Sequence, residues 1–216
     1  MKDKKPFEKR SYSFEMRAVD SERGEGVRTI TGRPIVYNSR TNLGWFDEII
    51  ESGALDGADL TDVRFLVNHD FSRIPLARSR RNTPNSTLRL MPVIEGLDME
   101  TDLDTANNMT ARELVSAVDR GDITGMSFMF SIDSERWENL ESDHPTRYIE
   151  KIGSVIEVSA VTFPAYEDTE IHARDKQALE NARRELENAR NDNAESLENE
   201  KRMLELEKAK VEILTK

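Results

Sequence analysis

Every glycine and every proline of this chain lies before residue 175, and residues 176–216 contain neither, nor any aromatic side chain. Gly and Pro are the residues that interrupt helices, so this stretch predicts one long helix. Leu-Glu-Asn-Ala-Arg occurs at 179–183 and again at 186–190. Leu179, Ala182, Leu186 and Ala189 therefore follow the 3–4 spacing of a coiled-coil seam. A second phase runs through Leu197, Leu204, Val211 and Leu214, and the slip between Asn193 and Leu197 is a stutter. Such a seam, poor in large apolar residues, suits either a docking or oligomerisation helix or a solvated one. The chain divides accordingly into a folded body, 1–175, and a charged helical tail, 176–216.

The body alternates as strands do. Residues 11–19 place apolar side chains at every second position, and 28–37 and 64–69 are further candidates. Residues 88–94 and 97–103 pair across Glu95-Gly96 as a hairpin, and 123–132 and 155–163 complete the set. One helix interrupts them over 108–120, with Met109, Leu114, Val115 and Val118 as its apolar positions and Gly121 as its stop. The fold class is mainly β with helices (α+β), closest to a barrel or sandwich.

The net charge of −11 makes the chain a poor non-specific binder of nucleic acid, since phosphate repels it. The basic run Arg78-Ser79-Arg80-Arg81 reads as a solvated loop. No cysteine is present, which excludes disulfides, thiolate nucleophiles and Cys-ligated zinc. No apolar run has the length of a membrane span. Residues 1–10 are Lys-rich without the apolar stretch of a signal peptide, so the protein is expected to stay in the cell that makes it.

Three polar residues stand within apolar strands. His69 ends the run Arg64-Phe-Leu-Val-Asn-His69, where alternation puts it on the face of Phe65 and Val67. Ser127 shares a face with Met129 and Ser131. Glu157 is the one ionisable group of Val155-Ile-Glu-Val-Ser-Ala-Val-Thr-Phe163. A buried carboxylate is costly unless paired, so something basic should meet it. A serine nucleophile needs a base, and an imidazole base needs a third group to set its tautomer. His69, Ser127 and Glu157 supply one of each, provided that folding brings them together. His144 sits in a turn-like polar loop and His172 after the last strand. Asp70 points away from its neighbour His69. No ligand spacing of the His-Glu-x-x-His kind supports a metal site.

At Gly32-Arg-Pro-Ile-Val-Tyr37, Asn68-His69-Asp70, Gly125-Met-Ser127-Phe and Glu157-Val-Ser-Ala-Val-Thr-Phe-Pro-Ala-Tyr166 the sequence resembles the prohead proteases of tailed bacteriophages. The resemblance covers roughly residues 10–175 and extends to the helical tail. It implies a serine endopeptidase with a fold like the herpesvirus assemblins, a closed β-barrel ringed by helices. By position, it makes His69 the base and Ser127 the nucleophile. Glu157 stands where the herpesvirus enzymes place a second histidine. The arginine-bearing loop that builds their oxyanion hole has no counterpart in Phe163-Pro-Ala-Tyr-Glu-Asp168.

The resemblance further implies cleavage of scaffold segments from the major capsid protein, self-processing, and packaging inside the immature capsid in the host cytoplasm. Acyl transfer of this kind calls for no cofactor and no metal. The expected partners are the capsid protein with its scaffold segment and the chain itself, with no membrane and no specific nucleic acid. The rival reading is a non-enzymatic scaffold or capsid-assembly protein, and a third is a metal-dependent hydrolase.

Overall fold

The computed structural model describes residues 7–13, 16–163 and 176–214. Among these the strands are β1 (Phe7–Ser13), β2 (Arg17–Asp20), β3 (Val27–Val36), β4 (Arg40–Asn42), β5 (Asp47–Ile50), β6 (Arg64–Val67), β7 (Ala77–Arg78), β8 (Leu88–Val93), β9 (Gly96–Asp104), β10 (Gly125–Glu138) and β11 (Thr146–Val161). The helices are α1 (Met109–Asp119) and α2 (Lys176–Leu214).

The strands form two sheets. One runs β1-β10-β11-β5-β4, with β6 also on β11 and β7 on β6; the other runs β2-β3-β9-β8. The long strand β11 carries two parallel partners on one edge, β5 along 146–149 and β6 along 157–160. This seats β6, and the turn after it, beside the C-terminal half of β11.

Alternation along β10 explains the core. Met126, Phe128, Phe130 and Ile132 are buried in one cluster with Ile30 and Ile35 of β3, Leu97, Met99 and Leu103 of β9, and Ala111, Leu114, Val115 and Val118 of α1. Ser127, Met129 and Ser131 consequently lie on the other face of the sheet. Gly32 lets the two sheets approach. A Cβ built there would stand 2.5 Å from Met126 Sδ, closer than atoms pack. The ladder from β3 to β9 shifts register between Gly32 and Ile35, where Pro34 has no N–H to offer.

The fold is thus mixed α+β with a long C-terminal helix, and it corrects the expectation of a closed barrel. Among the described residues the ladders end at β1, β4 and β7 in one sheet and at β2 and β8 in the other. Closure needs edges that can pair. Here β4 has three residues and β8 carries Pro92, both features of strands that remain edges. Nor do helices ring the sheets among the described residues. Helix α1 is capped by Asn108, whose side chain accepts from Ala111 N, and its apolar face is Ala111, Leu114, Val115 and Val118. Met109, at its first position, is exposed instead of packed.

The hairpin of β10 and β11 is longer than the apolar pattern predicts, because its far half buries charge. Arg147 and Glu48 are each 1% exposed. Arg147 makes paired hydrogen bonds to Glu8 at 2.8 and 2.9 Å and also meets Glu135. Arg10 bonds Glu8 at 2.5 Å and Glu48 at 2.6 Å. Burial opposes the charge on Arg147, but the carboxylates of Glu8, Glu48 and Glu135 outweigh it and raise its pKa. The network joins β1, β5, β10 and β11, so removing one member strands its partners in low dielectric.

The first turns of α2 pack on β1: Ala182 is fully buried and Leu186 is 3% exposed. Arg190 then donates to the carbonyls of Leu140 and Ser142, in the turn between β10 and β11. After the stutter the helix is bare, with Leu197, Met203, Leu204 and Leu206 exposed.

Candidate active site

The polar residues of the outer sheet face fall into register rows. Ser127 stands opposite Ser11 on one side and Ser159 on the other, and Ser159 stands opposite Leu66. In the next row Met129 faces Glu157. Directly beyond this pair the register shifts, so that Phe130 pairs with Val155 and Ile156 is the extra residue. A bulge of this kind re-aims neighbouring side chains, and here it sits against Glu157.

His69 reaches this face by leaving the strand. Asn68 and His69 both have left-handed backbone, φ 52° and 56°, which costs about 1–2 kcal/mol per non-glycine residue. Three contacts to β11 and the residue after it hold the turn: Asn68 N donates to Ala160 O at 2.9 Å, Thr162 N donates to Asn68 Oδ1 at 2.9 Å, and His69 N donates to Ser159 Oγ at 3.2 Å. Strand alternation therefore fails at His69. Phe65 is in the core while the imidazole lies over the outer face of β11, and the two left-handed residues are the reason.

There His69 Nδ1 meets Glu157 Oε1 at 2.5 Å. The carboxylate is fully buried and the imidazole 16% exposed. The second carboxylate oxygen accepts from Ser159 Oγ at 2.5 Å. Both oxygens of the buried acid are thereby satisfied, which is what its burial requires. With Nδ1 donating to the carboxylate, Nε2 is the nitrogen left to accept a proton.

Ser127 is also fully buried, and its hydroxyl donates to the main-chain carbonyl of Arg10 at 2.8 Å, across to β1. Of the three residues singled out from sequence, His69 and Glu157 are in direct contact. Ser127 is next to them in the sheet but turned the other way. Asp70 accepts from Ser72, and His144 pairs with Asp47 at 2.9 Å. His172 and residues 164–168 lie outside the described residues. Sequence reasoning passed over Asn68 and Ser159. The signal for Ser159 is its place two residues after Glu157, on the same face of an apolar strand.

Beside the row, Leu66, Val67, Asp70, Ile74, Asn108 and Thr110 line an open groove of about 440 Å³. Ile74 and Phe71 are strongly exposed next to it. No group of His, Asp or Glu that would hold a metal occurs among the described residues.

The sequence model of the Caudovirus prohead serine proteases matches residues 12–184. The chain belongs to that family. It is a serine peptidase of phage capsid maturation. The match takes in Ser127, Ser159 and Leu66 of the outer-face row, the His69 turn and α2 as far as residue 184. No curated protein and no solved structure matches the chain. No helix among the described residues is long and apolar enough to cross a membrane.

Proposed function

We propose that this prohead protease is an endopeptidase that removes scaffold segments from the major capsid protein and also cuts itself, with Ser127 as nucleophile, His69 as base and Glu157 as the acid that orients the imidazole. One observation carries the reading: the 2.5 Å contact between His69 Nδ1 and a fully buried Glu157. Nε2 is then the ring nitrogen available to take a proton, and Ser127 occupies the strand next to that of Glu157.

The chemistry follows the triad logic. The Ser127 side chain rotates from Arg10 toward His69 and loses its proton to Nε2 as Oγ attacks the scissile carbonyl. The imidazolium, held by Glu157, gives that proton to the leaving amine. Water, deprotonated by the same nitrogen, then releases the acyl group. The groove along Leu66, Val67 and Ile74 lies two strand spacings, roughly 10 Å, from Ser127, and receives the substrate chain. Ser127 is fully buried with its hydroxyl engaged, so in this reading a substrate must open the site to reach it.

The exposed stripe of α2 after the stutter suits an amphipathic partner helix such as a scaffold segment. Docking of that kind would carry the enzyme into the immature capsid of the infected host. The test is co-expression with the capsid protein, comparing the natural chain with Ser127→Ala by gel and mass spectrometry. Trimming of the capsid protein that stops in the variant supports the assignment; trimming at the normal rate overturns it.

A further inference from the structure

Ser159 is a buried hydroxyl with two simultaneous commitments. It donates to Glu157 Oε2 at 2.5 Å and accepts from the main-chain N–H of His69 at 3.2 Å. It is fully buried, and it stands in direct register with Ser127 on one side and Leu66 on the other. A hydroxyl offers one proton and two lone pairs, so a single side chain here grips the acid through its side chain and the base through its backbone. The His69 backbone that it grips is left-handed and strained, a conformation that persists only where its surroundings over-determine it.

We infer that Ser159 is a positioning residue, which sets the distance and angle between Glu157 and His69 and so the direction in which Nε2 points. The inference rests on the triad reading above. Without the hydroxyl, one carboxylate oxygen loses its donor and the His69 N–H loses its acceptor. The carboxylate is then free to rotate and the turn to relax. Both changes swing the imidazole without touching Ser127.

The reactivity of Ser127 toward an alkyl fluorophosphonate tests this on the full-length chain. The side chains of Ser159→Thr and Ser159→Val have nearly the same shape, but only one keeps a hydroxyl. Ser159→Thr is expected to label within a few-fold of the natural rate. Ser159→Val and Ser159→Ala should label roughly tenfold to a hundredfold more slowly, by analogy with the loss of hydrogen-bond partners that orient metal-binding histidines. The loss should fall in the maximal labelling rate, with the half-saturating probe concentration unchanged. The far-downfield imidazole Nδ1 proton should be kept in Ser159→Thr and weakened in Ser159→Val. Equal rates and spectra for the Thr and Val variants overturn the positioning role, and because the two differ by one hydroxyl, a shared folding defect cannot mimic the expected split. Ser127→Ala distinguishes the two levels of the argument. If it is still labelled, or if the label maps to Ser159, the triad reading itself falls. If it is unlabelled while Ser159→Ala reacts at the natural rate, the positioning role alone falls.

Discussion

The Ser127 hydroxyl is bonded to the carbonyl of Arg10, 2.8 Å away on β1, while His69, on the opposite side of β10, is bonded to Glu157. One strand thus separates the two halves of the proposed machinery. Staggered side-chain wells lie about 120° apart, so a single rotation about the Ser127 Cα–Cβ bond moves the hydroxyl from one side to the other.

The first prediction concerns that machinery. Ser127→Ala and His69→Ala should each lower cleavage by roughly 10⁴ to 10⁶, and the double variant by little more, since the two act as a unit. Glu157→Gln should cost on the order of 10⁴ by leaving the wrong tautomer. Rates on a fixed capsid-protein substrate check all four. Near-natural activity in Glu157→Gln removes the acid from the mechanism.

The second concerns pH. Burial pushes the Glu8 carboxyl up, but Arg10 and Arg147 outweigh it and hold its pKa below the ordinary 4.5. Asp102 is likewise buried yet held below 3.8 by Arg89 and Thr29. Both groups bind protons more readily when the chain is unfolded. Their stabilisation is complete above about pH 4.5 and disappears as the pH falls through their folded values. Thermal unfolding should therefore drop steeply below about pH 4.5, and Glu8→Gln should flatten that drop while lowering stability at neutral pH. A midpoint that stays level down to pH 3 contradicts the prediction.

The third concerns the contact between the sheets. A Cβ at Gly32 collides with Met126 Sδ, so Gly32→Val should destabilise by roughly 1–3 kcal/mol through overpacking. Met126→Ala in the same chain should recover part of the loss by making room. Urea unfolding of the two variants measures both terms, and additive losses would rule out the contact as the cause.

The fourth concerns the tail. Leu186 and Ala182 are buried against the body, whereas Leu197 and Leu204 are exposed. A chain truncated after Asp192 should unfold at nearly the natural temperature and keep its reactivity toward fluorophosphonate, yet enter assembling shells poorly. Leu186→Ala should cost roughly 2–5 kcal/mol. Normal packaging after truncation would remove the delivery role proposed for the distal helix. Lost folding would show that the distal helix supports the body.

Residue types and local periodicity settled several things without any structure. The absence of Gly and Pro after residue 175 made α2 legible, because helix continuity is a local property. Alternation in β10 put Ser127 on the face away from Phe128, and the hairpin of β8 and β9 followed from Glu95-Gly96. A carboxylate within an apolar strand announced that Glu157 must meet a donor. The far halves of β10 and β11 were not legible. Buried there are Thr146, Arg147 and Ile149, and a charge such as that of Arg147 reads as surface until its partners in β1 and β5 arrive from far along the chain.

Only tertiary structure decided where His69 points. Alternation extrapolated from Phe65 sends it into the core. Two left-handed residues, held by Asn68, Thr162 and Ser159, turn it onto the outer face of β11 instead. That choice depends on hydrogen bonds between residues some ninety positions apart. The same holds for the rotamer of Ser127, set by a carbonyl on β1, and for the open edges that replace a barrel. Short-range pattern fixes which face of an element is apolar; which elements meet, and at what register, depends on contacts that a linear pattern does not contain.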